Sequence, residues 1–191
     1  MASVVVNGDT SGAVTLSAPA VAGTVTVTLP AASGTMLTTA SSGQSIPKAA
    51  LPTGSVLQVV NATYTTPVTT SSSTYTDTGL TATITPLSNT SKILVIVSQN
   101  GNIKGGANNT RTGLQLFRNA SSLTTWELFA NWTNTATLNG VGTSGLEYLD
   151  SPATTSATTY KTQFNSQDNV ASVGVQAGSA MSTITLMEIA A

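Results

Sequence analysis

The sequence predicts an all-β protein: an extended N-terminal segment followed by an antiparallel β-sandwich. Three observations carry this. Short runs rich in Val, Ile, Thr and Leu have strand length, clusters of Gly, Asn, Ser and Pro separate them at regular intervals, and no apolar pattern holds helical spacing for long. The 191 residues allow one medium β-domain and an accessory segment.

Composition narrows the class. Only 7% of residues are charged, against about a quarter in an ordinary globular chain, and aromatics are held to 5%. An apolar fraction of 40% with a formal net charge of −1 is foldable, because disorder needs low hydrophobicity and high charge together. With so few charges to keep copies apart, burial of surface in a homo-oligomer is expected. The cations Lys48, Lys92, Lys104, Arg111, Arg118 and Lys161 are scattered and form no stripe for phosphates, which argues against nucleic acid as a partner. There is no Cys, so disulfides, zinc thiolates and thiol redox chemistry are excluded. The N-terminus lacks a cationic region followed by an apolar stretch, and no run reaches about 18 apolar residues, so synthesis in a cytoplasm without membrane insertion is expected.

Along the chain, residues 1–39 stand apart. Gly12-Ala-Val-Thr-Leu16, Ala18-Pro-Ala and Ala22-Gly-Thr24 are echoed by Val25-Thr-Val-Thr-Leu29, Pro30-Ala-Ala and Ser33-Gly-Thr35, each unit a short strand ended by Pro and Gly turns. Two such units cannot bury a core. They read either as a flexible low-complexity tail or, as we expect, as an attachment segment that orders on another protein or on sister chains. Residues 40–54 form a Ser/Gly linker stiffened by Pro47 and Pro52.

Residues 55–191 then carry nine predicted strands: 55–64, 80–85, 92–99, 113–118, 123–132, 145–149, 158–164, 170–176 and 182–189. The run Ile93-Leu-Val-Ile-Val97 predicts a central strand covered on both faces, one cover being available to a neighbouring subunit. Asn100-Gly-Asn102 and Asn108-Asn-Thr110 predict turns. Asn119-Ala-Ser-Ser122 predicts a hairpin turn, and strand alternation beyond it places Trp126, Leu128, Ala130 and Trp132 on one core face, with Glu127, Phe129 and Asn131 opposite.

Candidate chemistry is sparse, and no enzyme activity is expected. No His is present, which removes the commonest general base and every His-containing triad. Glu147 and Asp150 are the closest acidic pair, but three residues apart on a strand they face opposite sides. Asp9 and Asp77 read as turn caps. Without clustered carboxylates neither a metal nor any other cofactor is expected. Sugar binding is the reading that remains, with Trp132, Tyr148 and Tyr160 as glycan-contact candidates where exposed, set against the ordinary use of sparse aromatics as core.

The pattern from Asn7-Gly-Asp-Thr-Ser-Gly through Ala22-Gly-Thr24 and Thr28-Leu-Pro-Ala-Ala-Ser-Gly-Thr35 resembles stretches of tail-fibre and related virion proteins of tailed bacteriophages. Gly54-Ser-Val-Leu-Gln-Val-Val60, Tyr75-Thr-Asp-Thr-Gly-Leu-Thr-Ala-Thr-Ile84, Ser91-Lys-Ile-Leu-Val95 and Leu114-Gln-Leu-Phe-Arg118 are similar to the terminal β-knob of such fibres. The resemblance implies a jelly-roll-like homotrimeric knob on the virion surface that touches a host-surface glycan, with residues 1–39 docked on another virion protein. The chain departs from a long tail fibre in having no shaft repeat or coiled coil. A capsid decoration (cement or head-fibre) protein suits the same layout, and a free carbohydrate-binding module is a third reading.

Overall fold

The computed structural model describes residues 3–7, 13–17 and 51–191 apart from Thr137, and the side chains of 51–191 apart from those of Thr137, Asn139 and Val141. The chain divides into two units, Met1–Ser45 and Ile46–Ala191. In the first, β1 (Ser3–Asn7) pairs antiparallel with β2 (Ala13–Ser17), Ser3 opposite Ser17 and Asn7 opposite Ala13. The second predicted run of the N-terminal repeat (25–29), Asp9 and residues 40–50 of the linker lie outside the described residues.

Among the described residues the second unit has ten strands: β3 (Val56–Tyr64), β4 (Val68–Thr70), β5 (Thr76–Ile84), β6 (Lys92–Lys104), β7 (Thr112–Arg118), β8 (Ser121–Ala130), β9 (Asn139–Asp150), β10 (Thr158–Ser166), β11 (Val173–Val175) and β12 (Ser182–Ile189). One sheet has the order β5-β10-β7-β8; the other runs β3-β12-β6 with β9 on the far side of β6, and its long central strand also carries β11 and then β4 beyond the end of β12. All pairings are antiparallel. The fold class is therefore all-β, as predicted.

The core lies between the two sheets because alternation sends every second residue inward. Ile93, Val95 and Val97 of β6, Ile184 and Leu186 of β12, and Leu80 and Ile84 of β5 are buried with Leu116 and Tyr160 in one cluster, while Leu114, Phe164, Val173 and Val175 form a second. Trp126 packs against both. Between them runs a polar seam. The Thr162 hydroxyl donates to the Gln99 Oε1 at 3.0 Å, and the Gln99 amide donates to Ser182 Oγ at 3.1 Å, with all three residues fully buried. Such groups stay inside only because each polar atom is partnered there.

Several expectations are corrected. Asn100-Gly-Asn102 does not end its strand, and β6 continues to Lys104. Gly101 absorbs the bend with φ 63, and the backbone of Ala177 crowds it so closely that a Cβ would sit 2.5 Å from its nitrogen. The β6 run is covered on one face only in this chain: Leu94 and Ile96 are half-buried on the outer side. The predicted β8 face is broken. Trp126 and Ala130 turn inward, but Leu128 and Trp132 are 43% and 46% exposed and Asn131 is buried instead. At Leu128 the cause is a register shift between β7 and β8, and Asn131 and Trp132 belong to the turn beyond the strand. From Thr112↔Ala130 to Leu114↔Glu127, β8 spends three residues on two of β7, and each extra residue swaps the faces that follow.

Candidate functional site

The sandwich has two chemically different ends. At the proximal end, the chain enters and leaves side by side: Gly54 N donates to Ala190 O at 2.8 Å, and Ala190 N donates to Ser55 O at 2.9 Å. The same end holds the β5–β6 loop, which the fully buried Glu188 carboxylate grips by accepting the Leu87 amide at 2.7 Å, the Ser88 amide at 3.3 Å and the Gln58 side-chain amide at 2.5 Å. A cavity of about 470 Å³ opens there between Leu51, Leu57, Leu87 and Ala190.

The distal end is formed by three connections, stitched into one surface by residues 105–111, 131–136 and 167–172. Asn109 N donates to Thr133 O (3.1 Å), Gln167 N to Arg111 O (3.0 Å) and Gly105 N to Ser172 O (2.6 Å). Beneath them the fully buried Lys104 ammonium donates to Ala107 O and Thr135 O, both at 3.0 Å, and so ties the first connection to the second.

This end presents apolar side chains to solvent. Leu128, Phe129, Trp132, Leu138 and Val170 are 43–69% exposed, and they are five of the ten large hydrophobics found exposed among the described residues. The turn that carries the aromatics is fixed from inside. Trp132 N donates to Phe129 O (3.1 Å), Ala130 is buried, and the buried Asn131 donates to Thr112 Oγ1 at 3.0 Å. Anchoring the two middle residues forces Phe129 and Trp132 outward. The Arg111 guanidinium stacks on the Phe129 ring at 4.6 Å and makes a two-pronged pair with Asp168, at 2.8 and 2.7 Å. The ring is thereby held in place, and the cation is neutralised without being withdrawn from the surface.

Of the three glycan-contact candidates, Trp132 alone is on this surface. Tyr148 is half-buried against the core cluster. Tyr160 is fully buried, and its hydroxyl donates to Asp150 Oδ2 at 2.7 Å, so it cannot meet an external sugar. Burial and the Asp150 carboxylate both push its phenol well above the usual tyrosine range. Phe129, Arg111 and Asp168 were not legible as partners of Trp132. Phe129 follows the register shift just described, and Arg111 and Asp168 are brought together only by the β7–β10 pairing.

Asp77, Glu127, Asp150, Asp168 and Glu188 are engaged in structure, and Glu147 is exposed. Glu147 and Asp150 do face opposite sides, Glu147 outward and Asp150 inward against Arg118 at 2.8 Å. Asp77 is not a turn cap: it accepts Lys161 Nζ and Gln163 Nε2 (2.6 Å) across the β5–β10 pair. Glu127 accepts the amides of Leu128 and Phe129. Among the described residues no three His, Cys, Asp or Glu side chains gather in a metal-binding group. The sequence matches no protein-family model and no curated protein.

Proposed function

We propose that the chain is a structural protein of a tailed-phage particle, a short homotrimeric surface fibre whose distal loops contribute to host-surface attachment. The observation that carries this is the division of the sandwich into two ends. The chain enters and leaves at one, and the anchored, exposed Phe129–Trp132 turn stands at the other. A protein that is held at one end and makes contact at the other needs this layout. Exposed apolar groups of this kind mark interaction surfaces, and the saccharide-facing candidates narrow to Trp132 with Phe129. Residues 1–39 supply the docking arm for another virion protein, and the protein is made in the host cytoplasm and assembled onto the particle exterior.

The strand order supports a jelly-roll reading of the knob. Counting the eight long strands β3, β5, β6, β7, β8, β9, β10 and β12, the chain changes sheet at every step except the β7–β8 hairpin, and the sheets read β3-β12-β6-β9 and β5-β10-β7-β8. Two interlocked Greek keys give these orders.

The test is adsorption competition. Purified full-length protein added before phage should slow adsorption to host cells, and the Phe129→Ala/Trp132→Ala double variant, altered only at exposed positions, should lose that effect. If wild type and variant compete equally, or neither does, the attachment role fails. An arm-and-knob layout also suits a capsid decoration protein, for which neither would compete while the protein remained a particle component.

A further inference from the structure

The two outer faces of the sandwich differ. On the β5-β10-β7-β8 sheet the outward side chains include Thr81, Thr83, Thr159, Lys161, Gln163 and Gln115, a mainly polar surface in which the Phe117 ring lies under the Lys161 ammonium. On the other sheet an apolar row crosses all four long strands at one level. Val59 is opposite Met187, Met187 opposite Leu94, and Leu94 opposite Leu149. Both ends of the row are more than half exposed, Val59 at 55% and Leu149 at 53%. Ile96 extends it at the next level. A row of this kind departs from the apolar-in, polar-out alternation expected of an antiparallel sheet with one face in water.

We infer that this face, with its bordering strands β3 and β9, is the contact through which copies of this chain assemble around a three-fold axis, β9 of one copy lying beside β3 of the next. The inference rests on the self-assembling knob proposed above and names its interface. Four features support it. The strands β3, β12, β6 and β9 alternate in direction, so β3 and β9 run oppositely. A rotation about an axis along the strands therefore sets β9 antiparallel to the neighbour's β3, and the Leu149 end of one row meets the Val59 end of the next at the same level.

Of the border strands β3 lacks protection, whereas β9 carries the outward Glu147 and the inward Asp150. Neither carries Pro or Lys, the usual devices against edge-to-edge association, and β3 carries no charge at all. The charges on the face are compatible with burial, since Lys92 and Glu147 are its two charged side chains and are opposite in sign; among the described residues neither has an ion-pair partner. Area decides that the borders must take part. Four strands about 4.8 Å apart, followed for nine residues of about 3.3 Å rise, give a face on the order of 500 Å², short of the roughly 800 Å² per partner of a standard interface until the edges are added.

The absence of native Cys makes cross-linking a clean test. Full-length Val59→Cys/Leu149→Cys protein, oxidised and run without reductant, should give covalent trimers, while each single Cys variant should give none. Light scattering on the reduced proteins should report trimers throughout. In a separate pair of variants, Val59→Lys and Leu149→Lys should each dissociate the trimer, with Leu128→Lys at the distal end as the control that leaves it intact. Single-Cys variants that cross-link into dimers would replace the three-fold contact with a two-fold one. A protein that scatters as a trimer yet neither cross-links nor dissociates would overturn the inference and leave the trimeric knob standing. A monomeric wild type would remove both, while leaving the adsorption test of the attachment role unaffected.

Discussion

The Tyr160 hydroxyl donates to Asp150 Oδ2 across 2.7 Å, and this hydrogen bond joins β10 of one sheet to β9 of the other. Arg118, on the same sheet as Tyr160, donates to both oxygens of that carboxylate at 2.9 and 2.8 Å. Asp150 is thus a polar rivet between two sheets otherwise held by apolar contact. Removing one member of a largely buried charged set leaves the others uncompensated, at about 3–5 kcal/mol when burial is complete. Arg118 retains 29% side-chain exposure, so Asp150→Ala should cost less, about 2–3 kcal/mol, read as a fall in Tm of about 5–10 °C. Tyr160→Phe, which removes one bond and keeps the ring, should cost about 1–2 kcal/mol. Equal Tm values for wild type and Asp150→Ala would show that the rivet carries no load.

Acid should weaken the knob through Glu188. Burial pushes its carboxyl up, but hydrogen bonds from Gln58 and the Leu87 and Ser88 amides outweigh burial and hold it below its ordinary 4.5. Asp77 lies below its ordinary 3.8 in the same way, burial being outweighed by Lys161 and Gln163. A carboxyl with a lower value in the folded state binds its proton more readily when unfolded. Its contribution is therefore complete above the ordinary value and is lost as the pH falls through that value towards the folded one. Thermal melts should be level from pH 7 to about pH 5 and decline below about pH 4.5. Glu188→Gln should be less stable at pH 7 and show a shallower decline, and an unchanged slope in that variant would assign the acid sensitivity to other groups.

Gly79 should not tolerate a side chain. Its φ is 87, and a Cβ there would collide with the Tyr64 ring, which occupies the space from the facing sheet. Gly79→Ala should cost about 2–4 kcal/mol, the sum of a backbone penalty of about 1–2 kcal/mol and the displacement of the ring. Tyr64→Ala should relieve the second part and leave the first, so the double variant should be markedly more stable than the two single effects added. Strict additivity in that cycle would mean that the ring and the glycine do not meet.

At the distal end, stability and attachment should separate. The Arg111–Asp168 pair is partly exposed, at 27% and 22%, so Asp168→Ala should change stability by less than about 1 kcal/mol. It should nevertheless reduce competition for adsorption, because Arg111 then loses the partner that holds it over Phe129. A variant that competes as wild type would limit the contact to the aromatic side chains themselves.

Much of this architecture was legible in the residues. All nine predicted strands are present, because β-branched runs ended by Asn and Gly leave little choice, and the run from Ser182 to Ile189 is reproduced to the residue. What was not legible depends on partners distant in sequence. The three-residue β4 exists because β11 offers it an edge. The outward turn of Trp132 follows from the turn after β8, whose anchor is the hydrogen bond of the buried Asn131 to Thr112 on β7. Tyr160 carries a polar atom that suits a surface as well as a core, and Asp150, on the neighbouring sheet, decides its place. Of the three glycan-contact candidates, one therefore remains at the surface end, joined there by Phe129, whose strand parity predicted the face opposite Trp132.

The most direct test of the account is the copy number of this chain in purified particles, measured by quantitative mass spectrometry against the major shell protein. A surface fibre built from trimers predicts a small number per particle, in multiples of three. Hundreds of copies would move the protein to the capsid surface as a decoration, and its absence from particles would contradict the virion assignment itself.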